Sequence, residues 1–387
     1  MIFQWKALVY LYIIKKQFYC FMRLIRTSMM VENNDKKLTS LQVVRGIAAL
    51  LVVFFHYRFF LKDNGAMTPD FWEQLLSPGI IGVNIFFVLS GFIIACSTSK
   101  YQKGVESFKL FAKNRILRIV PLYYFGLLVA FLLGGAMSTF HYSQKIENLI
   151  SALTFTVYDN NVSPHYIDDS GMYNVRWTLN YEIYFYFVFA VCMLFRSRLT
   201  FLLVWFISLT QIIPALLGFT PTLSVSGYHF DYASYGFFTN PIALEFVVGV
   251  IFGLLYLKIQ NNIREHNYLK YSFLPAAIFL VILVYIRIIS PFDILASVII
   301  GLIILSLALY KKATSRFTIA FVYLGDISYS LYLLHNPIGS AIFKRVDGAN
   351  HPYFWFMIAV LSSIAISHFT YRYIEVSLTN FLKSKLP

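Results

Sequence analysis

The chain has 387 residues, of which 58% are apolar and only 13% are charged, and its formal net charge is +14. A soluble globular protein carries roughly 25% charged residues and about 45–50% apolar ones. The excess apolar surface cannot be buried in one water-soluble core. Composition therefore excludes a cytosolic enzyme, a secreted disulfide scaffold and a disordered protein. It predicts an all-α, polytopic integral membrane protein that contacts the lipid bilayer.

The positive charge is distributed as in membrane proteins. Lysines and arginines cluster in short segments between apolar runs, which is the pattern of cytoplasmic loops. The three cysteines, Cys20, Cys96 and Cys192, have no metal-type spacing, and each lies in or beside an apolar stretch. We therefore expect neither a nucleic-acid partner nor a metal site.

The N-terminal segment 1–37 differs from the rest of the chain. Its apolar run over residues 7–14 is short, is followed by two lysines and has no small-residue cleavage site, so no cleavable signal peptide is predicted. An internal start at Met29 or Met30 would leave the polar lead-in VENNDKK. We interpret 1–37 as an extension, either a mis-annotated start or a dispensable amphipathic tail. The membrane domain is expected over 38–381, with no appended soluble domain.

About ten apolar stretches approach the roughly 20 residues that a transmembrane helix needs. The fourth is short and is expected to begin nearer Trp177, and a further apolar segment, 146–157, is expected to lie along the interface. The predicted spans are 41–61, 78–98, 115–135, 182–196, 199–217, 240–257, 271–289, 292–310, 319–343 and 354–374.

The loops between these spans alternate in charge. The loop after the second span carries six basic residues against Glu106, whereas the loop after the third is acidic on balance, with Glu147, Asp159, Asp168 and Asp169. The positive-inside rule places the basic loops in the cytoplasm. Because the number of spans is even, both termini are expected on that side too.

The first span, LQVVRGIAALLVVFFHYRFF, contains two ionisable groups, and such groups are costly inside a membrane. His56 follows Arg45 by eleven positions, and at ~100° per residue eleven steps come within ~20° of three full turns. The two side chains are therefore predicted on one face, about 16 Å apart along the axis. A snorkelling arginine and a packed histidine are the structural alternative.

A second basic motif opens the third span in KNRILRIVPLYYF. Arg115 and Arg118 are three residues apart, so they share a face of a helix. Guanidinium groups match the geometry of phosphate, which makes a phosphate-bearing cytosolic ligand one interpretation. An ordinary positive-inside anchor is the other, and it is favoured when this motif is taken alone.

Two more motifs place polar groups in predicted spans. Glu182, in RWTLNYEIYFYF, needs a partner in the membrane, and a histidine on another helix is a natural one. In LGDISYSLYLLHNP, Asp326 and Ser330 are predicted to share a face, with His335 about 180° from Asp326. An ordinary interhelical hydrogen bond is the alternative role for each group.

Taken together, five motifs resemble the acyltransferase family 3 membrane proteins, the O-acetylases that decorate lipopolysaccharide, exopolysaccharide and related surface glycans. The motifs are LQVVRGIAALLVVFFHY, GVNIFFVLSGFII, NRILRIVPLYYF, WTLNYEIYFY and LGDISYSLYLLH. Arg45 and His56 meet the signature of a basic residue, ten spacers and a histidine, and Arg115 and Arg118 meet the RxxR motif. Asn84 stands where many members have Asp, and WTLNYE has one acid where others have paired Glu. Both departures bear on acceptor specificity.

The resemblance implies an O-acyltransferase of the bacterial inner membrane. Its donor would be cytosolic acyl-CoA, most simply acetyl-CoA. Its acceptor would be a hydroxyl of a surface glycan, such as O-antigen or exopolysaccharide, or of a lipid-linked oligosaccharide. Arg45, Arg115 and Arg118 are then expected to bind the phosphates of CoA.

The catalytic roles follow from the same resemblance. His56 is expected to act as general base, a task suited to an imidazole. Glu182 or His335 is expected to orient His56 or to bind the acceptor. Both direct transfer and a transient acyl-histidine fit this set of residues.

Two other functions account for part of this pattern. A flippase or transporter of lipid-linked glycans also has many spans and intramembrane charges. It does not explain an Arg–His pair on one face together with a separate arginine pair. A glycan polymerase would be expected to carry a large basic outer loop, whereas the loop 136–176 is acidic on balance.

Overall fold

The computed structural model describes residues 39–64, 69–134, 136–260, 271–310, 316–348 and 350–385, without the side chains of 69, 70, 316 and 317. Within these ranges the chain is helical and has no strand, which confirms the predicted all-α class. The extension 1–37 lies outside the described residues. So do several basic residues of the predicted cytoplasmic loops: Lys36, Lys37, Arg264, Lys270, Lys311 and Lys312.

The first part of the described chain forms nine helices. Short helical turns over Ser77–Ile80 and Ser208–Ile212 join the second to the third and the eighth to the ninth. The nine are α1 (Thr39–Asn64), α2 (Pro69–Leu76), α3 (Ile81–Ser97), α4 (Val105–Leu133), α5 (Ala136–Thr139), α6 (Ser143–Thr154), α7 (Arg176–Cys192), α8 (Arg198–Ile207) and α9 (Ile213–Leu216).

Eight helices follow in the described remainder of the chain. A wide helical turn over Tyr371–Leu378 joins the last two. The eight are α10 (Ala233–Thr239), α11 (Leu244–Ile259), α12 (Phe273–Tyr285), α13 (Ile294–Leu309), α14 (Arg316–Asp326), α15 (Ser328–Phe343), α16 (Pro352–Thr370) and α17 (Thr379–Lys385).

Six of the described helical segments are long and apolar enough to cross a bilayer, as expected of a multi-pass membrane protein. Helices α12 and α13 are apolar but shorter. The number of ten spans and the cytoplasmic position of the termini stay predictions. The six segments are Thr39–Asn64, Phe71–Ser97, Val105–Leu133, Arg198–Leu216, Ala233–Ile259 and Pro352–Lys385.

The predicted ninth span, 319–343, is two helices rather than one. Helix α14 ends at Asp326 and α15 begins at Ser328, with a break at Ile327. Gly325, Asp326 and Ser328 are weak helix formers, which favours a break at this point. The angle predicted between Asp326 and His335 assumed an unbroken helix and therefore does not apply.

One other local expectation is met. Helix α7 begins at Arg176, next to Trp177, where the fourth span was expected to start. The short apolar segment 146–157 falls mostly within α6, which is 12 residues long, and its position along the interface stays a prediction.

Close backbone contacts fix α1, α3, α11 and α14 against one another. A methyl group at Gly249 would lie 2.0 Å from the carbonyl oxygen of Val88, so α11 touches the backbone of α3. A methyl group at Gly325 would likewise lie 2.0 Å from the carbonyl oxygen of Gln42, so α14 touches the backbone of α1. Only glycine permits these approaches, and they hold rigidly the helix that carries Arg45.

Candidate active site

The three arginines that the motifs singled out line one cavity. Arg45 comes from α1, and Arg115 and Arg118 come from α4. The cavity, which we call the arginine cavity, has a volume of about 80 Å³. Its other polar lining residues are Ser90, Thr178, Glu182, Tyr186, Ser328, Tyr329 and Tyr332.

Unpaired polar groups in this wall fit an anionic or polar ligand. The Nε of Arg115 and the hydroxyl of Ser328 are buried and have no hydrogen-bond partner among the described residues. Leaving a buried donor unpaired is costly, so such groups are typical of ligand sites. The guanidinium of Arg115 lies 5.1 Å from the ring centre of Tyr186 and 5.2 Å from that of Phe111, so its position is fixed by cation–π contacts.

Glu182 lies at the arginine cavity rather than beside a histidine. Tyr186, one turn later on α7, donates a hydrogen bond to its Oε1. The hydroxyl of Tyr186 is also 2.9 Å from that of Ser90 on α3. The charge of Glu182 acts on Arg45 and on both arginines of α4. Glu182 and His335 are the two residues predicted to orient His56. Glu182 is not in contact with His56.

Glu375 is a member of this cluster that the sequence interpretation missed. Its Oε2 accepts a hydrogen bond of 3.0 Å from Ser330, and its charge interacts with Arg118 and Arg45. The predicted last span ends at residue 374, one position before this acid. A lone acid directly after an apolar helix, in YRYIEVSL, was the available signal.

The two histidines meet at a point further along α1. The Nδ1 of His56 lies 3.2 Å from the Nε2 of His335, and the ring centres are 4.8 Å apart. His335 is fully buried, and its carbonyl oxygen accepts a hydrogen bond of 2.7 Å from the hydroxyl of Tyr57. The structure thus brings His56 into contact with His335, the other residue predicted to orient it.

One arrangement of protons satisfies every contact of this pair. The Nδ1 of His335 is 3.1 Å from the carbonyl oxygen of Leu331, and the Nδ1 of His56 is 2.9 Å from that of Val52. Both Nδ1 atoms must therefore carry a proton, since a carbonyl oxygen only accepts. His335 then accepts from His56 through its bare Nε2. The Nε2 of His56 keeps a lone pair and has no partner among the described residues.

Tyr332 connects the arginine cavity with the histidine pair. Its ring lines the cavity, and the ring centre is 6.0 Å from that of His335, one turn further along α15. Its hydroxyl is 2.6 Å from that of Thr178 on α7. His56 follows Arg45 by eleven positions of unbroken helix, so the arginines and the base lie at different depths of the bundle.

Fold and site together define a polytopic helical membrane protein with a histidine pair beside an arginine-lined cavity. The profile of the acyltransferase domain family matches residues 38–372, and the chain therefore belongs to that family. This confirms the resemblance that the five motifs indicated.

Two similar proteins come from bacteria. The exopolysaccharide production protein ExoZ of Rhizobium meliloti (strain 1021) is 31% identical over 314 residues, which cover 77% of this chain and 88% of that protein. A protein of Staphylococcus aureus (strain COL) named "Putative O-acetyltransferase" is 22% identical over 363 residues, which cover 86% of this chain and 56% of that protein. The chain thus spans about half the length of the staphylococcal relative. No solved structure matches the chain significantly.

Proposed function

We propose that this chain is a membrane O-acetyltransferase that moves an acetyl group from cytosolic acetyl-CoA to a hydroxyl of a cell-surface glycan. The observation that carries the proposal is the convergence of three arginines on one cavity whose wall reaches the His56–His335 pair through Tyr332. Relatives named for exopolysaccharide production and for O-acetyl transfer support the acceptor class and the transferred group. The bacterial inner membrane is the compartment that gives access to both substrates.

The arginine cavity is assigned to the donor. Arginine forks bind phosphate through paired, charge-assisted hydrogen bonds, and the free Nε of Arg115 offers one such donor. Ligand pockets typically measure about 300–1,000 Å³, so a cavity of about 80 Å³ is too small for a nucleotide. It suits the narrow pantetheine arm. The phosphates would then meet the guanidinium groups at the cavity mouth.

His56 is assigned the proton transfer. Its Nε2 takes the proton of the acceptor hydroxyl as the hydroxyl oxygen attacks the thioester carbonyl. The carbon–sulfur bond breaks, and His56 returns the proton to sulfur, which yields the acetyl ester and free CoA thiol. While His56 is protonated, its Nδ1–H still donates to His335 and to the carbonyl oxygen of Val52, and both acceptors stabilise the imidazolium.

The same nitrogen would be the nucleophile in a two-step route. The Nε2 of His56 would then take the acetyl group before passing it to the acceptor hydroxyl. Incubation with radiolabelled acetyl-CoA in the absence of glycan separates the two routes. Label bound to the chain, and absent from His56→Ala, identifies the two-step route, and an unlabelled chain identifies direct transfer.

Radiolabelled acetyl transfer in membranes tests the proposed function. Membranes that contain the chain, supplied with acetyl-CoA and the host's own surface glycan, are expected to place label on the glycan as a base-labile ester. A flippase or transporter would move glycan and leave the label on CoA. Unlabelled glycan, with the chain present and folded, would overturn the proposal.

Cysteine labelling in intact cells tests the orientation. Lys103→Cys lies in the basic loop and Asn161→Cys in the acidic one, and both positions are exposed. A membrane-impermeant thiol reagent is expected to modify the cysteine at 161 and to spare the cysteine at 103 until the membrane is broken. The parent chain, with its native cysteines, gives the background. The reverse pattern would invert the topology and remove the case for the arginines as ligands of a cytosolic donor.

A further inference from the structure

A second, larger cavity lies at the other end of α15. Its volume is about 540 Å³, within the usual range of ligand pockets of about 300–1,000 Å³. Three asparagines from different elements line it: Asn148 of α6, Asn174 of the loop before α7, and Asn336 of α15. We call it the amide cavity. Asn336 directly follows His335, so this wall begins next to the histidine pair.

Two of the asparagines, Asn148 and Asn336, have acceptor oxygens without a partner. Asn148 is only 5% exposed, and while its Nδ2 donates to Tyr158, its Oδ1 has no hydrogen-bond partner among the described residues. Asn336 donates through Nδ2 to the Oδ1 of Asn174 at 2.6 Å, and its own Oδ1 has no partner in the described ranges either. The cost of burying an unpaired acceptor applies to Asn148, whose Oδ1 is buried, and it points to a ligand that donates hydrogen bonds.

The charges around the cavity provide no net attraction for an anionic ligand. Asp168 and Asp169 stand against Lys145 and Lys344, so the charged groups balance. The ammonium of Lys145 is already bound to the hydroxyl of Ser138 and lies over the ring of Tyr142. Carboxylate and phosphate oxygens only accept hydrogen bonds, so they cannot satisfy the free amide oxygens. Hydroxyl groups can.

Two lining residues connect the amide cavity to histidines. Asp169 contacts the Nδ1 of His165, whose ring lies 4.3 Å, centre to centre, from that of Trp177. Asn336 directly follows His335, which contacts His56. A ligand in the amide cavity would therefore lie next to the segment of α15 that carries His335.

From these observations we infer that the amide cavity binds one uncharged sugar residue of the acceptor glycan, with the Oδ1 atoms of Asn148 and Asn336 accepting hydrogen bonds from its hydroxyl groups. That this glycan is the acceptor rests on the proposed function, but the binding of the sugar is testable without catalysis. Sugars are recognised through such convergent polar groups in a largely preformed cavity.

Protection of a cysteine tests the site directly. Ser340 lines the cavity, so full-length Ser340→Cys is alkylated with maleimide in the presence of the methyl glycosides of glucose, galactose, N-acetylglucosamine or glucuronic acid, or of inorganic pyrophosphate. At least one uncharged glycoside is expected to slow alkylation about threefold or more, with no effect on the Asn161→Cys control. Protection by glucuronide or pyrophosphate alone would overturn the inference in favour of an anionic ligand. So would the absence of protection by every probe.

The amides are tested in the same background. Asn336→Ala is expected to raise the half-protecting sugar concentration about five- to tenfold, the size expected for one lost hydrogen bond. Asn161 is an exposed asparagine in the loop between α6 and α7, and Asn161→Ala is expected to leave the half-protecting concentration unchanged. An unchanged value for Asn336→Ala in a chain that elutes as folded protein would remove Asn336 from the site and overturn the assignment.

Acetyl transfer separates this inference from the proposed function. Asn336→Ala should raise the KM for the glycan and leave the KM for acetyl-CoA within about twofold. Sugar protection without any acetyl transfer would overturn the enzymatic proposal and leave the sugar site standing. Acetyl transfer without sugar protection would overturn the sugar site and leave the enzymatic proposal standing.

Discussion

Helix α15 runs past two cavities of opposite character. Ser328 and Tyr332 line the arginine cavity, His335 follows, and Asn336 and Ser340 line the amide cavity. The first cavity is small and charged, and the second is nearly seven times larger and balanced in charge. Under the proposed function, the contrast corresponds to a division of labour, in which a thin anionic donor enters from one end and a bulky neutral acceptor from the other. The histidine pair lies where the two would meet.

The largest effect is expected where the two cavities meet. Replacing His56 by alanine removes the only lone pair that the proton arrangement of the pair leaves free, and general base catalysis contributes about 10²- to 10⁴-fold. Acetyl transfer should fall by that factor, while the KM for acetyl-CoA changes little. Radiolabel transfer in membranes, normalised to the amount of inserted protein, measures it. The exposed His141→Ala is the matched control, and activity of His56→Ala close to that control would refute the assignment.

Charge reversal at the small cavity should affect the donor alone. The paired change Arg115→Glu and Arg118→Glu removes charge-assisted hydrogen bonds worth roughly 1.5–3 kcal/mol each. Acetyl-CoA affinity should fall at least about tenfold, as measured by binding to purified protein. The matched pair Lys103→Glu and Lys109→Glu, in the same basic region but outside the cavity, should change it far less. Equal losses in both pairs would mean that general positive charge, and not this site, binds the donor.

A smaller effect is expected from the partner of the base. His335 accepts one hydrogen bond from His56, and a neutral hydrogen bond contributes about 0.5–1.5 kcal/mol. His335→Leu should therefore lower kcat up to about tenfold and leave both KM values unchanged. His335→Gln keeps an acceptor oxygen and should recover part of the loss. If both variants raise the KM values or fail equally, His335 serves packing rather than orientation of the base.

The sequence predicted the arginine cavity better than the contacts of Glu182 and His56. Helical spacing predicted that Arg115 and Arg118 share a face, and the family resemblance implied that Arg45 acts with them; the three line one cavity. The partners of Glu182 and His56 were harder to predict, because contacts between helices depend on packing that one sequence does not encode locally. The break at Ile327 shows the same limit, since it changes the angle between Asp326 and His335.

The amide cavity had no signature in the sequence at all. Asn148, Asn174 and Asn336 come from three segments, and asparagine is common in exposed loops, so nothing in their spacing marked them. Glu375 was not predicted for a different reason. The predicted last span ends one residue before it, and helix ends are the least certain part of such predictions.

The finest test of the contrast between the cavities is the neutralisation of Glu375. The charge of this carboxylate interacts with Arg118 and Arg45 and would repel the phosphates that they bind. Glu375→Gln keeps an oxygen that accepts from Ser330, so the fold of this corner should persist. The KM for acetyl-CoA is expected to fall about two- to fivefold, because removal of one negative charge from a buried site changes its potential without new contacts.

The control for this change is an acid of α2 that pairs with an arginine near the end of α1. Glu73 forms an ion pair of 3.2 Å with Arg58, away from the arginine cavity, and Glu73→Gln removes the same charge. It should leave the KM for acetyl-CoA unchanged. A rise in that KM for Glu375→Gln would show that the carboxylate holds the arginines in place for the donor, and the small cavity would then owe its selectivity to geometry rather than to net charge.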